Sequence, residues 1–355
     1  MRPSNESPAD AVVAIHVGGE AAGSSGSRSG GVLATDENRV VNIFPEGMRN
    51  RLRSTFTGQL EGSPEWVLKL EDGDDAGYFA PDSATWAVHG QTATIVAGVR
   101  ALLMQAMHPG AMAGVHDHSR YKEDPLGRLA GTIRWIFTVT YADTATAVAT
   151  SNWVLKLHER VTGTYPDAQG LSHDYAANDP ELLSWVHLAF TDSFLATAKL
   201  WSEPIPGGPD AYVREWAKAG ELMGVPNPPR SEAELAEQLQ AFLDSGTLVR
   251  NDRVDEAVKF IGNPPLARAM MPAYHVLFAG AVSSIPEEYR RMLGLEVARL
   301  GPVRLPVVGA TRLVLKLVGA MLGHEAPSES SARRRLIRLG LLSADQTVAA
   351  GRGAA

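Results

Sequence analysis

The sequence predicts a mainly α protein, a multi-helix bundle behind a disordered N-terminal tail. Three observations carry this. Apolar residues recur at helical spacing over long runs, as in TIVAGVRALLMQ and ELLSWVHLAFTDSFLATAKLW. The helical runs open on Asp124–Pro125, Asp179–Pro180 and the capping box Ser231–Glu232–Ala233–Glu234, where an oxygen caps free N–H groups or proline sits where no donor is needed. No succession of alternating apolar and polar residues is found, so at most a minor strand pair is expected.

Taken in order, residues 1–35 (with GGEAAGSSGSRSGG) hold too little apolar surface to fold and form the tail. Residues 36–345 make a single all-α domain, and 346–355 a loose C-terminal end. Inside the domain, 38–45 is a short extended segment and 46–57 a helix. A mixed region around EDGDDAG follows. A long helix over 94–107 stops at His108–Pro109, because proline disfavours helix in the residue before it. Residues 110–121 form a short polar segment with His116, Asp117 and His118.

The helix after Asp124–Pro125 carries Arg128 and Thr132, four apart and so on one face. Residues 144–163 form an amphipathic helix that places Val154, His158 and Val161 on one side and ends at Gly163. A loop with His173 and Tyr175 leads to the helix that holds His187 and Thr191. Further helices are expected over 231–243, 264–282, 286–299, 302–322 and 331–341.

The 355 residues contain no cysteine. That removes disulfides, thiolate-bound haem, c-type haem attachment, iron–sulfur clusters, cysteine-based zinc sites and cysteine nucleophiles. Any metal falls to His, Asp, Glu, Tyr or Met, and the ten histidines become the inventory to inspect. The formal charge of −7 and a lone basic run, Arg333–Arg334–Arg335, argue against nucleic acid as a partner. No apolar run reaches the roughly 20 residues of a membrane span. The N-terminus lacks a signal layout, so a cytoplasmic location is expected. Dinucleotide, phosphate-loop, HExxH and EF-hand motifs are all missing, and so is a nucleophile elbow in the folded region.

His158 is the centre of interest. A histidine on an apolar helix face is a neutral imidazole aimed inward, which suits a metal or haem iron. It equally suits a core histidine bonded to a carbonyl. Arg128 and Thr132 read as a pair that binds a haem propionate or orients oxygen, or as a surface arginine above a packed threonine. His187 and Thr191 form a polar pair among Trp185, Phe190 and Phe194, readable as a site or as core. His108 reads most simply as part of a helix stop.

The ordered blocks HPGAMAGVHDHS, DPLGRLAGT, HERVTG and YAANDPELLSWVH, with MPAYHVLFAG and IPEEYRRMLGL later, resemble the latex-clearing proteins (rubber oxygenases) and MpaB-type oxygenases. The resemblance covers residues 94–341. It implies an all-α fold with a globin-like core and a b-type haem. His158 then matches the proximal iron ligand, Arg128 and Thr132 the RxxxT pair beside the haem, and Thr191 a pocket threonine. Rubber oxygenases carry a lysine directly before the threonine, and here that residue is Gly131. The distal side is then open, or capped by His108, His118 or His187.

The expected function is therefore a haem b oxygenase or related oxidoreductase. It would take a small organic substrate, with O2 as co-substrate and an electron donor as partner; an oligomer is compatible with this. His158 would hold iron, and Arg128, Thr132, His187 and Thr191 would serve the reaction. Two alternatives stand beside it. One is a non-haem metal site from some of His108, His118, His158 and His187 with a carboxylate such as Asp117. The other is a non-catalytic haem carrier.

Overall fold

The computed structural model describes residues 63–119, 124–167, 169–322 and 326–346. The expected N-terminal tail, the extended segment at 38–45, the helix at 46–57 and the chain beyond 346 lie outside the described residues. The fold is mainly helical, with two short antiparallel hairpins among the described residues.

Helix α1 (Glu65–Leu68) and a 3-10 turn precede α2 (Ala84–His89), α3 (Thr94–Gln105), α4 (Pro109–His118), α5 (Pro125–Tyr141) and α6 (Thr144–His158). Strands β1 (Thr162–Pro166) and β2 (Ser172–Ala176) lead into α7 (Pro180–Trp201), α8 (Pro209–Leu222), α9 (Glu232–Asp244), α10 (Asp252–Gly262), α11 (Met271–Ser284) and α12 (Glu287–Met292). The chain closes with β3 (Arg299–Leu300), β4 (Val303–Arg304), α13 (Val307–Leu322) and α14 (Pro327–Arg338).

The core is built on α3 against α7. Val96, Ala97, Leu103 and Met104 of α3 share one apolar cluster with Trp185, Leu188, Phe194 and Leu195 of α7. Arg100 crosses this interface fully buried, with Nη1 on Asp192 Oδ2 at 2.6 Å and donating to Ser193 Oγ at 2.9 Å. Removing one member of such a pair strands a buried charge, so it fixes the register of the two helices. Helix α11 covers α3, and α13 packs on α11. At that last crossing a Cβ on Gly280 would stand 2.5 Å from Thr311 Oγ1, so the close approach requires glycine.

Helices α5 and α6 form an antiparallel hairpin that turns at Ala142–Asp143. Asp143 caps α6 by accepting from Thr146 N at 3.2 Å. The loop before α2 clamps this turn, Asp75 Oδ1 accepting from Thr144 N at 2.9 Å. Gly77 permits the contact, with φ of 81° and no side chain to strike the Ala142 carbonyl. From α14, buried Arg335 donates to the carbonyls of Leu70 at 2.7 Å, Ala76 at 3.3 Å and Tyr141 at 2.8 Å.

Several boundaries differ from expectation. His108–Pro109 does end α3, but it also starts α4: His108 is the N-cap, Nδ1 accepting from Ala111 N at 3.4 Å. The polar segment at 110–121 is thus largely helix. Helix α6 stops at His158 and Gly163 lies in β1, so Val161 is not on the helix. The loop with His173 and Tyr175 is β2, paired with Tyr165 and Gly163. The segment 286–299 is helical only over α12, and Val303–Arg304 is a strand before α13. Helices α8 and α10 were not anticipated; both are polar on one side, and tertiary packing selects them.

Candidate functional site

The α5–α6 hairpin decides where the expected residues meet. Arg128 lies 15 residues before Asp143 and His158 15 residues after it. At 1.5 Å per residue both stand about 22 Å from the turn, at the same height on adjacent helices. The guanidinium charge of Arg128 accordingly reaches His158. Burial pushes the His158 imidazole below its ordinary pKa, and the Arg128 charge pushes it the same way. The ring is neutral at pH 7, which is the ligand form.

Arg128 is exposed, and desolvation by neighbouring protein atoms lowers its pKa below the usual arginine value. Gly131, one turn on, is exposed too, and a Cβ built there meets nothing within 4 Å. Thr132 is half-buried on the same face, its hydroxyl donating back to the Arg128 carbonyl at 3.4 Å.

The other side of His158 is set by the β1–β2 hairpin. Val161 N donates to the His158 carbonyl at 2.9 Å, and Ala177 N donates to the Val161 carbonyl at 2.9 Å, so the two hairpin ends are pinned together. This brings Asn178 beside α6, where its Nδ2 donates to the Leu155 carbonyl at 2.9 Å. That bond orients the amide and leaves Oδ1 as a free acceptor. Asn178 acts on the His158 ring as a hydrogen-bond partner and raises its basicity, against the two depressing causes. The contact is looser than a closed hydrogen bond, since His158 Nδ1 and Asn178 Oδ1 are both buried without a partner at ordinary distance. Each is the other's complement. A proton on Nδ1 directed at Asn178 leaves the lone pair on Nε2.

Asn178 did not stand out in the sequence. It precedes Asp179–Pro180 and reads there as loop, and only the closed hairpin brings it to His158.

The remaining candidates have other surroundings. His187 is buried in α7 against α8, where a Cβ on Gly220 would lie 3.0 Å from its Cε1. Burial holds its pKa down at about 4. The Thr191 hydroxyl donates to the His187 carbonyl at 2.7 Å, within the helix. His108 is fully buried as the α4 cap, with Nε2 3.7 Å from Glu181 Oε1, and His118 Nε2 bonds the Thr162 carbonyl at 2.9 Å. His116 and Asp117 pair with each other at 2.9 Å.

The non-haem alternative is not supported, because among the described residues no three His, Asp or Glu side chains converge as a metal site. The donor chemistry fits a haem: a neutral imidazole whose Nε2 is not claimed by Asn178, and a guanidinium whose charge reaches that ring from the adjacent helix, able to take an anionic propionate.

The family model described as ER-bound oxygenase mpaB/B'/Rubber oxygenase, catalytic domain, matches residues 86–318 of the chain. No curated protein and no solved structure matches it. The matched region runs from α2 into α13 and contains Arg128, Thr132, His158 and Asn178.

Proposed function

The chain belongs to the mpaB/rubber oxygenase catalytic-domain family, and from that premise we propose that it is a haem b-dependent oxygenase. Its substrate would be a small organic molecule, with O2 as co-substrate and an external electron donor. The observation that carries the reading is His158: neutral, with its Nδ1 buried opposite Asn178, and level with the desolvated Arg128.

Haem supplies activation of dioxygen when bound. The chain supplies the rest. His158 offers Nε2 to the iron and keeps its proton on Nδ1, where the Asn178 carbonyl holds the ring in that tautomer. Arg128 binds a propionate through charge-assisted hydrogen bonds, each worth about 1.5–3 kcal/mol. Thr132 lines the same wall, with its hydroxyl proton held by the Arg128 carbonyl. Gly131 leaves open space where the rubber oxygenases carry lysine. His187 and Thr191, the other expected reaction residues, are here assigned to packing of α7 on α8.

The purified protein should show an intense Soret band. His158→Ala should lose it with helical circular dichroism intact, and Arg128→Ala should retain haem less well than Arg214→Ala on the exposed face of α8. Oxygen uptake with a reductant separates an oxygenase from a haem carrier. A protein produced with ample haem that shows no Soret band, or a His158→Ala variant with an unchanged spectrum, rules the assignment out.

A further inference from the structure

The segment from 297 to 324 contains Arg299, Arg304, Arg312 and Lys316 and no acidic residue, in a chain whose net charge is −7. It is also the most apolar exposed part of the described residues. The tip of the β3–β4 hairpin presents Leu300 (75% exposed) opposite Val303 (63%), and α13 presents Leu313 (61%) and Leu317 (45%) one turn apart. Arg312 and Lys316 are also one turn apart and exposed beside that apolar line, Arg312 with one guanidinium nitrogen donating to the Leu200 carbonyl at 2.8 Å. The hairpin meets the start of α13 at an open recess of about 320 Å³ lined by Arg304, Leu305, Val307 and Val308. The hairpin therefore adjoins the first turn of α13 through exposed Leu305 and Val308. Glu287, whose carboxylate feels Arg304, is already paired with Arg291 at 2.9 Å.

We propose that the β3–β4 hairpin and the outer face of α13 dock on an anionic lipid bilayer, with the leucines and Val303 in the acyl boundary and the four cations at the headgroups. Apolar side chains in water mark an interaction surface when they are contiguous. A second copy of the chain meeting this patch through its own would set cations against cations. Nucleic acid would match the charge and leave the leucines wet. A bilayer carrying acidic lipids satisfies both features. No single helix among the described residues is long and apolar enough to cross a membrane; α13 and α14 pass that test of length and composition only as a pair bent by 56°. Helix α14 is held in the fold by Arg335 on the Leu70 and Tyr141 carbonyls, so the proposed surface lies on the bilayer.

The test is sedimentation of the full chain with vesicles of phosphatidylcholine alone and of phosphatidylcholine mixed with phosphatidylglycerol. Binding is expected for the mixed vesicles and is weakened by salt. Each cation contributes about fivefold near an anionic surface, so Lys316→Glu should lower the partition by at least that factor. Leu313→Ser with Leu317→Ser should lower it further, without change in the melting transition. Should that double variant melt early, Lys316→Glu alone decides, because it alters only an exposed side chain. Equal partition of wild type and Lys316→Glu, or no preference for the acidic lipid, overturns the proposal. So does a concentration-dependent dimer that the leucine variants abolish, which would make the face a contact between copies.

Discussion

Asn178 faces His158 across the neck of the β1–β2 hairpin, its amide oriented by the 2.9 Å bond from Nδ2 to the Leu155 carbonyl. Outer partners of this kind set the tautomer and basicity of a ligating histidine, and losing one typically costs about 10–100-fold in affinity. Asn178→Ala is therefore expected to lose haem to a scavenging globin at least about tenfold faster than wild type. Asn178→Asp, which keeps an acceptor at the same atom, should stay close to wild type. Identical loss rates for all three proteins would leave Asn178 with no part in positioning the ring.

Gly131 is helical and has empty space beside it, so a side chain there meets no clash. Gly131→Ala should stabilise α5 by about 0.5–1 kcal/mol through the lower entropy cost of alanine. Gly131→Lys adds an amine on the α5 face that carries Arg128, where the rubber oxygenases have theirs. The haem-loaded variant should turn low-spin and six-coordinate and take up cyanide more slowly, whereas the wild type binds it readily. A wild-type protein that is already six-coordinate would contradict the open distal side.

Arg335 ties α14 to the loop before α2 and to the end of α5 through three carbonyls. Arg335→Met leaves those acceptors buried and unmatched, at about 1–3 kcal/mol for each one not reached by water. Denaturant unfolding should show a loss of about 3 kcal/mol or more. A loss below about 1 kcal/mol would mean that the clamp does not hold the hairpin turn.

Two buried histidines make stability fall in acid. Desolvation holds His89 at about 3 and His187 at about 4, against an ordinary 6.5. Their folded-state pKa values are depressed, so the unfolded chain takes up these protons first. The contribution is complete above pH 6.5 and is lost as pH falls towards 4 for His187 and 3 for His89. The slope is up to about 1.4 kcal/mol per pH unit for each ring. His187→Leu should flatten the dependence of unfolding free energy on pH by one such increment between pH 6.5 and about 4. An unaltered slope would show that His187 does not remain neutral in the fold.

Much of the fold was legible along the chain because its signals are local. Asp124 and Ser231 accept from N–H groups three residues on, and a side chain three residues away can be read from sequence. Asp179 already shows the limit: it precedes Pro180 as a helix start should, but its carboxylate accepts from Ala176 N at 2.7 Å and serves the hairpin. Gly163 was read as a helix stop and is a strand residue, because pairing with Tyr175 competes with the helix signal and neither neighbour declares it.

By itself the sequence determined the helical class, the exclusion of cysteine chemistry, and His158, Arg128 and Thr132 as candidates. Tertiary structure alone decided which of these stand near one another. The equal spans from Asp143 put Arg128 and His158 level only once α5 and α6 fold back on each other, and Asn178 reaches His158 only when β1 and β2 pair. His187 and Thr191 show the same division from the other side: their spacing left a polar pair readable as site or as core, and only the packing of α8 against α7 buries both. Spacing along one helix says which side chains share a face; what that face meets depends on contacts distant in sequence.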